Sequence, residues 1–144
     1  MNLTGTPAVA VLQPLGSYPP LFVFPGAGTD VMVMRLFAER LGEDQPFCAM
    51  RSPVLDGARP LPASMEEHCA HYVRAMREIQ PRGPYYLCGP SFGGIHAFET
   101  ARQLREAGET IALLAMFDTY GKGYPRRRRR LGCCLLYTSD AADE

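Results

Sequence analysis

Short runs of apolar residues alternate along the chain with longer segments in which apolar residues recur at helical spacing. The apolar runs predict β-strands, because each is short and is bounded by turn-forming residues. They cover residues 9–12, 21–24, 47–50, 85–88 and 111–117. The last run contains no polar residue, which predicts a strand buried on both faces of its sheet.

Three segments between these runs predict helices. The first follows Asp30, a residue type that caps helices, and ends at about Leu41. The second begins at a capping box formed by Ser64 and Glu67, and the third covers residues 95–107. Strands that alternate with helices predict the α/β class, with helices flanking a mostly parallel sheet.

Length and composition narrow the class of protein. The chain has 144 residues, of which 47% are hydrophobic, and equal numbers of basic and acidic side chains, 15 of each. This is enough for one domain with a buried core. No apolar run approaches the roughly 20 residues of a membrane-spanning helix, and the N-terminus does not resemble a secretory signal. We therefore expect a cytoplasmic protein without a membrane partner.

The end of the chain departs from the alternating pattern. Residues 126–130 are consecutive arginines, and residues 134–144 resemble translated sequencing-adapter DNA; a natural disordered tail is the alternative. We assign residues 1–125 to the folded domain and residues 126–144 to an Arg-rich run and a non-native tail. The remainder is mildly acidic, so no nucleic-acid partner is expected.

The five cysteines are an odd number without C-x-x-C spacing. This pattern argues against a disulfide framework and against a zinc site, so we expect no metal. The first three, Cys48, Cys69 and Cys88, have apolar neighbours and are predicted core residues.

The sequence GPSFGG at residues 89–94 lies between a predicted strand and a predicted helix. This is the context of a Gly-x-Ser-x-Gly nucleophile elbow, in which a sharp turn presents the serine at the carboxyl end of a sheet. Gly89 and Gly93 would be needed because a Cβ at either position would collide with nearby backbone. Ser91 is therefore a candidate nucleophile, and a serine in an ordinary glycine-rich turn is the alternative.

The sequence PGAG at residues 25–28 also follows a strand and precedes a helix. If the chain is a hydrolase, the N–H groups of Ala27 and Phe92 form the oxyanion hole that binds the oxygen of a tetrahedral intermediate. The alternative is a dinucleotide-binding fingerprint, but Val31 stands where its third glycine would be.

Asp118 follows the last predicted strand and is expected at the same edge of the sheet as Ser91. An acid at that position can orient a histidine base; an Asp that caps a turn before Thr119 is the alternative. The order in α/β hydrolases is serine, acid, histidine, yet no histidine follows Asp118.

The three histidines of the chain all precede this acid. His68 and His71 lie on the second predicted helix, and His96 lies on the third. We expect each of them to be a partly exposed helix residue and not a catalytic base.

Together these segments resemble the thioesterase domains that end nonribosomal peptide synthetases and polyketide synthases, within the α/β-hydrolase superfamily. The resemblance extends over about residues 19–125. It rests on LFVFPGAG at 21–28, on the stretch from SMEEHCAHYV to GPSFGG at 64–94, on AFETARQLREAGE at 97–109 and on LLAMFDTYGKGYP at 113–125. Pro90 departs from the family, which usually carries an aromatic residue or histidine there.

This resemblance implies an α/β-hydrolase fold, truncated before the lid helices, the final strands and the catalytic histidine. It implies Ser91 as nucleophile, Asp118 as acid, and Ala27 and Phe92 as oxyanion-hole donors. No cofactor would bind directly, because the acyl or peptidyl substrate arrives on the phosphopantetheine arm of a carrier-protein partner. A carboxylesterase and a catalytically inactive fragment or interaction module remain as alternatives.

Overall fold

A computed structural model of the chain describes residues 4–29, 31–51 and 62–121. Its elements follow the predicted order. They are β1 (Val9–Gln13), β2 (Leu21–Val23), α1 (Val31–Leu41), β3 (Phe47–Met50), α2 (Met65–Ile79), β4 (Tyr85–Pro90), α3 (Phe92–Glu106) and β5 (Ile111–Phe117). The third helix begins at residue 92, three residues before the predicted start, so Gly93 and Gly94 belong to its first turn, whereas Gly89 lies in β4.

The five strands form one sheet in the order β1-β3-β2-β4-β5. Strand β1 runs antiparallel to β3, and every other neighbouring pair is parallel. A helix connects each parallel strand to the next along the chain, as parallel strands require. The predicted α/β class with a mostly parallel sheet is confirmed.

Local sequence signals account for the beginning of α2. The Ser64 hydroxyl accepts a hydrogen bond from the Glu67 N–H at 3.2 Å. The Glu67 carboxylate accepts one from the Ala63 N–H at 2.8 Å, one residue before the position that the capping box predicts. The predicted cap Asp30 and residues 126–144 lie outside the described residues.

Helices α2 and α3 cover one face of the sheet, and α1 packs on the other. Alternating strand residues supply both cores, because successive side chains of a strand point to opposite faces. The larger core, beneath α2 and α3, includes Phe22, Phe24, Tyr72, Met76, Leu87 and Leu104. The smaller core, beneath α1, includes Val23, Met34, Ala38, Phe47, Ala49 and Cys88.

The prediction that strand β5 is buried on both faces is wrong. Leu113 is 42% exposed, Met116 45% and Phe117 52%. The physical reason is the position of the strand in the sheet: within the described part of the chain, β5 pairs with β4 alone and forms an edge. None of the described helices is long and apolar enough to cross a membrane.

Candidate active site

Ser91 lies at a sharp turn between β4 and α3. Its backbone has φ 50° and ψ −123°, a conformation that L-residues rarely adopt and that costs on the order of 1–3 kcal/mol. The flanking glycines allow the turn. A Cβ on Gly89 would lie 2.7 Å from the Gly94 nitrogen, and one on Gly93 would lie 2.8 Å from the Pro25 carbonyl oxygen. The close backbone approaches predicted for positions 89 and 93 are therefore present.

Asp118 directly follows the strand that lies beside the elbow. The Ser91 N–H donates a hydrogen bond to the Phe117 carbonyl at 2.7 Å, which fixes the end of β5 against the turn. Asp118 is exposed and has a positive φ of 46°. The structure thus brings the predicted nucleophile and the predicted acid to adjacent strand ends at one edge of the sheet.

Thr119 makes a further contact at this edge, and its place in the site was not predicted from the sequence. Its hydroxyl lies 3.1 Å from the carbonyl oxygen of Ser91 and 3.1 Å from that of Phe117. The residue therefore joins the chain after Asp118 to the backbone of the elbow. A hydroxyl immediately after a candidate acid is the only signal in the sequence that could have indicated this role.

The segment at residues 25–28 packs against the elbow. A Cβ on Gly26 would lie 3.8 Å from the Ser91 Cβ. The Thr29 N–H donates to the Gly26 carbonyl at 3.1 Å and closes a turn that contains Ala27. Phe92 is the first residue of α3, and N–H groups in the first turn of a helix have no intrahelical partner. The two backbone segments that carry the predicted oxyanion-hole donors therefore flank Ser91.

The expectation that His96 is partly exposed is wrong, since only 3% of this residue is accessible to solvent. Its ring faces α2 and contacts the His68 ring at a centroid distance of 4.6 Å. Burial, followed by the nearby His68, lowers the pKa of His96 to about 4. His68 and His71 are half-buried, as predicted. His96 is therefore a neutral interior residue at physiological pH.

The buried thiols are not candidate nucleophiles. Burial raises the pKa of Cys88, three residues before the serine, to about 11. It likewise raises the pKa of Cys69 to about 11 and that of Cys48 to about 12. Because a thiol reacts as its thiolate, these groups are inert at neutral pH. Their predicted placement in the core is confirmed.

An apolar cavity of about 290 Å³ opens beside the elbow on the α1 side of the sheet. It is lined by Val23, Thr29, Val33, Met34, Phe37, Pro90 and Phe117. Pro90 and Phe117 are the last residues of their strands, so the cavity lies at the same sheet edge as Ser91. Within residues 4–29, 31–51 and 62–121, no group of three or more His, Cys, Asp or Glu side chains could hold a metal ion.

Comparison with protein families shows that the family model of the thioesterase domain matches residues 19–131. Among curated proteins, the chain is 38% identical over 117 residues to the indigoidine synthase of Dickeya dadantii (strain 3937). It is 42% identical over 108 residues to the non-reducing polyketide synthase PKS16 of Cladonia grayi. These matches cover 81% and 74% of the chain but only 8% and 5% of the relatives.

Solved structures share the fold. The NocB thioesterase domain from the nocardicin cluster superposes with a TM-score of 0.74 at 26% identity, over 80% of this chain and 51% of that one. YbtT, a type II thioesterase from the yersiniabactin pathway, superposes with a TM-score of 0.62 at 28% identity, over 74% of this chain and 45% of that one. The predicted α/β-hydrolase type is confirmed.

Proposed function

Since the chain belongs to the thioesterase domain family, we propose that it carries the nucleophile, the acid and the oxyanion hole of an enzyme that releases an acyl or peptidyl chain from a carrier-protein thioester. Ser91 is the nucleophile and Asp118 is the acid. The N–H groups of Ala27 and Phe92 form the oxyanion hole. The observation that carries the proposal is the position of Ser91 at a strained turn, where its N–H donates a hydrogen bond to the Phe117 carbonyl. Because Asp118 is the next residue after Phe117, this bond holds the acid close to the serine.

The reaction proceeds through an acyl-enzyme. Ser91 Oγ attacks the thioester carbonyl and gives up its proton to a histidine that Asp118 orients. The two N–H groups bind the oxyanion of the tetrahedral intermediate, aided by the N-terminus of α3. The C–S bond then breaks, and the phosphopantetheine thiol leaves with the proton. Water, or a nucleophile within the substrate, completes the release and regenerates Ser91.

The chemistry of a structural neighbour supports a serine mechanism. The NocB thioesterase domain has been solved as a covalent complex with a fluorophosphonate nocardicin G analogue, and that structure superposes with a TM-score of 0.72 at 26% identity, over 78% of this chain and 50% of that one. Fluorophosphonates are therefore suitable probes of Ser91. The 144 residues contain no histidine after Asp118 to act as base, so we expect little or no labelling of the isolated chain. Strong labelling at Ser91 would contradict this expectation.

Replacement of the nucleophile tests the assignment directly. In a whole enzyme that contains this chain, we expect Ser91→Ala to abolish turnover of an acyl thioester and to leave the circular dichroism spectrum unchanged. Ser17→Ala, which alters a serine in the loop before β2, is the matched control and should retain full activity. An oxoester of the same acyl group, assayed in parallel, distinguishes a thioesterase from a carboxylesterase. Turnover retained by Ser91→Ala would overturn the assignment.

A further inference from the structure

Four aromatic rings form a continuous row beneath the elbow. The Phe24 ring meets the Tyr72 ring edge to face at a centroid distance of 5.2 Å. The Tyr72 ring meets His96 at 5.6 Å, and His96 meets Phe92 at 4.7 Å, both also nearly perpendicular. We refer to Phe24, Tyr72, His96 and Phe92 as the ring row.

The ends of the ring row coincide with the two backbone segments that flank Ser91. Phe24 immediately precedes the segment at residues 25–28, which carries the Ala27 N–H. Phe92 is the residue after the serine and carries the other proposed donor. Phe24, Tyr72 and His96 are buried, and Phe92 is 41% exposed. A shift of a buried ring is therefore transmitted by close packing to the Phe24 side of the proposed oxyanion hole, and it reaches the Phe92 side through the direct contact between His96 and Phe92.

His96 is the ring of the row that can take up a proton under mildly acidic conditions, and its surroundings suit only the neutral form. Neither ring nitrogen has a hydrogen-bond partner. The titratable side chains packed near it are His68, Tyr72 and Cys69, all from α2, and none of them is a carboxylate. On its own helix it contacts Phe92. A proton on His96 would create a buried charge beside a second histidine, without a counter-ion among these groups.

We propose that His96 is a positioning residue for the oxyanion hole. Its neutral ring, held between Tyr72 and Phe92, couples the backbone that carries the Ala27 N–H to the backbone that carries the Phe92 N–H. That these two N–H groups form an oxyanion hole rests on the function proposed above. The coupling of the two backbone segments through His96 does not depend on that function. Protonation of His96 pushes the ring away from His68 and out of the row, which displaces both N–H groups together.

The coupling is measurable by NMR on the 15N-labelled 144-residue chain. As the pH is lowered from 7 to about 3, we expect the Ala27 and Phe92 amide resonances to move with one midpoint, equal to that of the His96 ring protons. In His96→Phe, an aromatic replacement that does not titrate, both movements should disappear. His71→Gln is the control on α2: it removes a histidine outside the ring row and should leave the coupled movement in place. Amides that do not follow the His96 ring, or that move equally in His96→Phe, would overturn the inference.

Kinetics of a whole enzyme that contains this chain give a second test. His96→Ala should lower kcat by about 10- to 100-fold with little change in KM, because a small misplacement of catalytic groups affects the transition state more than substrate binding. His96→Phe should restore most of kcat. Equal effects of both variants on kcat would contradict a positioning role for the ring. If Ser91→Ala also retained turnover, the proposed function would fail while the NMR coupling could still stand, so the two failures are distinguishable.

Discussion

The two faces of the sheet are packed to different degrees. On the face covered by α2 and α3, the large side chains, such as Phe22 and Tyr72, are fully buried. On the other face, α1 leaves Met32 64% exposed, Val33 61% and Leu36 66%. Beneath α1 the strand residues Val23 and Phe47 are also buried, so the two faces differ in their outer layer of helix. Within the described residues, we call the face beneath α2 the closed face and the face beneath α1 the open face. The closed face opens again towards β5, where a cavity of about 500 Å³ lies between α3 and the strand and Phe98 is 55% exposed.

The elbow therefore has packed aromatic side chains on one side of the sheet and an apolar cavity on the other. The α2 and α3 side reaches Ser91 through the ring row, whose members pack on one another. The α1 side meets the same edge of the sheet through the apolar cavity of about 290 Å³. The closed face therefore packs against the backbone of the elbow, and the open face leaves space beside it for an apolar group.

Truncation of a buried side chain on the closed face and of an exposed side chain on α1 provides the largest test of the comparison. Phe22 is fully buried, so Phe22→Ala should lower the free energy of unfolding by about 3–5 kcal/mol through lost burial and a residual cavity. Leu36→Ala, on the exposed side of α1, should change it by less than about 0.5 kcal/mol. Denaturant titration of both variants measures the difference. Similar losses in the two variants would show that Leu36 is packed as tightly as Phe22, which would contradict the open outer side of α1.

A lower pH should reduce the free energy of unfolding, because His96 in the closed face must remain neutral in the folded chain. The pKa of this residue falls from 6.5 to about 4 on folding, so the unfolded chain binds the proton first as the pH decreases. The contribution of neutral His96 to the free energy of unfolding is therefore fully present above about pH 6.5. It is lost progressively as the pH falls to about 4. The total loss is up to about 3 kcal/mol, since one pKa unit corresponds to about 1.4 kcal/mol. Denaturant titrations across this range should show a smaller loss in His96→Phe, and an equal loss would exclude His96 as the main cause.

The features that the sequence predicted well depend on residues close to one another along the chain. The capping box at Ser64 and Glu67 fixes the beginning of a helix by local hydrogen bonds. The glycines around Ser91 fix a turn because of what a Cβ would meet there. The approach of Asp118 to Ser91 was predictable as well, because parallel neighbouring strands end at the same edge of a sheet.

The features that the sequence did not reveal depend on partners far away along the chain. The apolar composition of β5 is the same whether the strand is central or at an edge, so its exposure could not be read from its own residues. A single polar residue on a helix likewise does not show which side faces the core. His96 is buried because α2 packs across that side of α3, and this contact becomes visible only in the folded structure.

Substitution of Gly93 tests how closely the segment before Ala27 packs against the first turn of α3. A Cβ on Gly93 would meet the Phe24 and Pro25 carbonyls, which are backbone atoms that no side-chain rotation can move away. Gly93→Ala should therefore lower the free energy of unfolding by about 1–3 kcal/mol. Gly121→Ala is the control, because that Cβ would meet nothing within 4 Å. An unchanged stability of Gly93→Ala would mean that the segment moves freely relative to α3.

The smallest expected effect on stability concerns the edge of the open face. Leu113 is 42% exposed on β5, the edge strand of the described sheet, and an exposed apolar edge favours pairing with another chain. Leu113→Lys should lower the average mass of the isolated chain in sedimentation experiments, because a charged side chain disfavours edge-to-edge pairing, with little change in unfolding free energy. Thr110→Lys adds the same charge just before the strand without removing apolar surface, so it should reduce association less. If both lysines reduce association equally, net charge and not the apolar edge controls it.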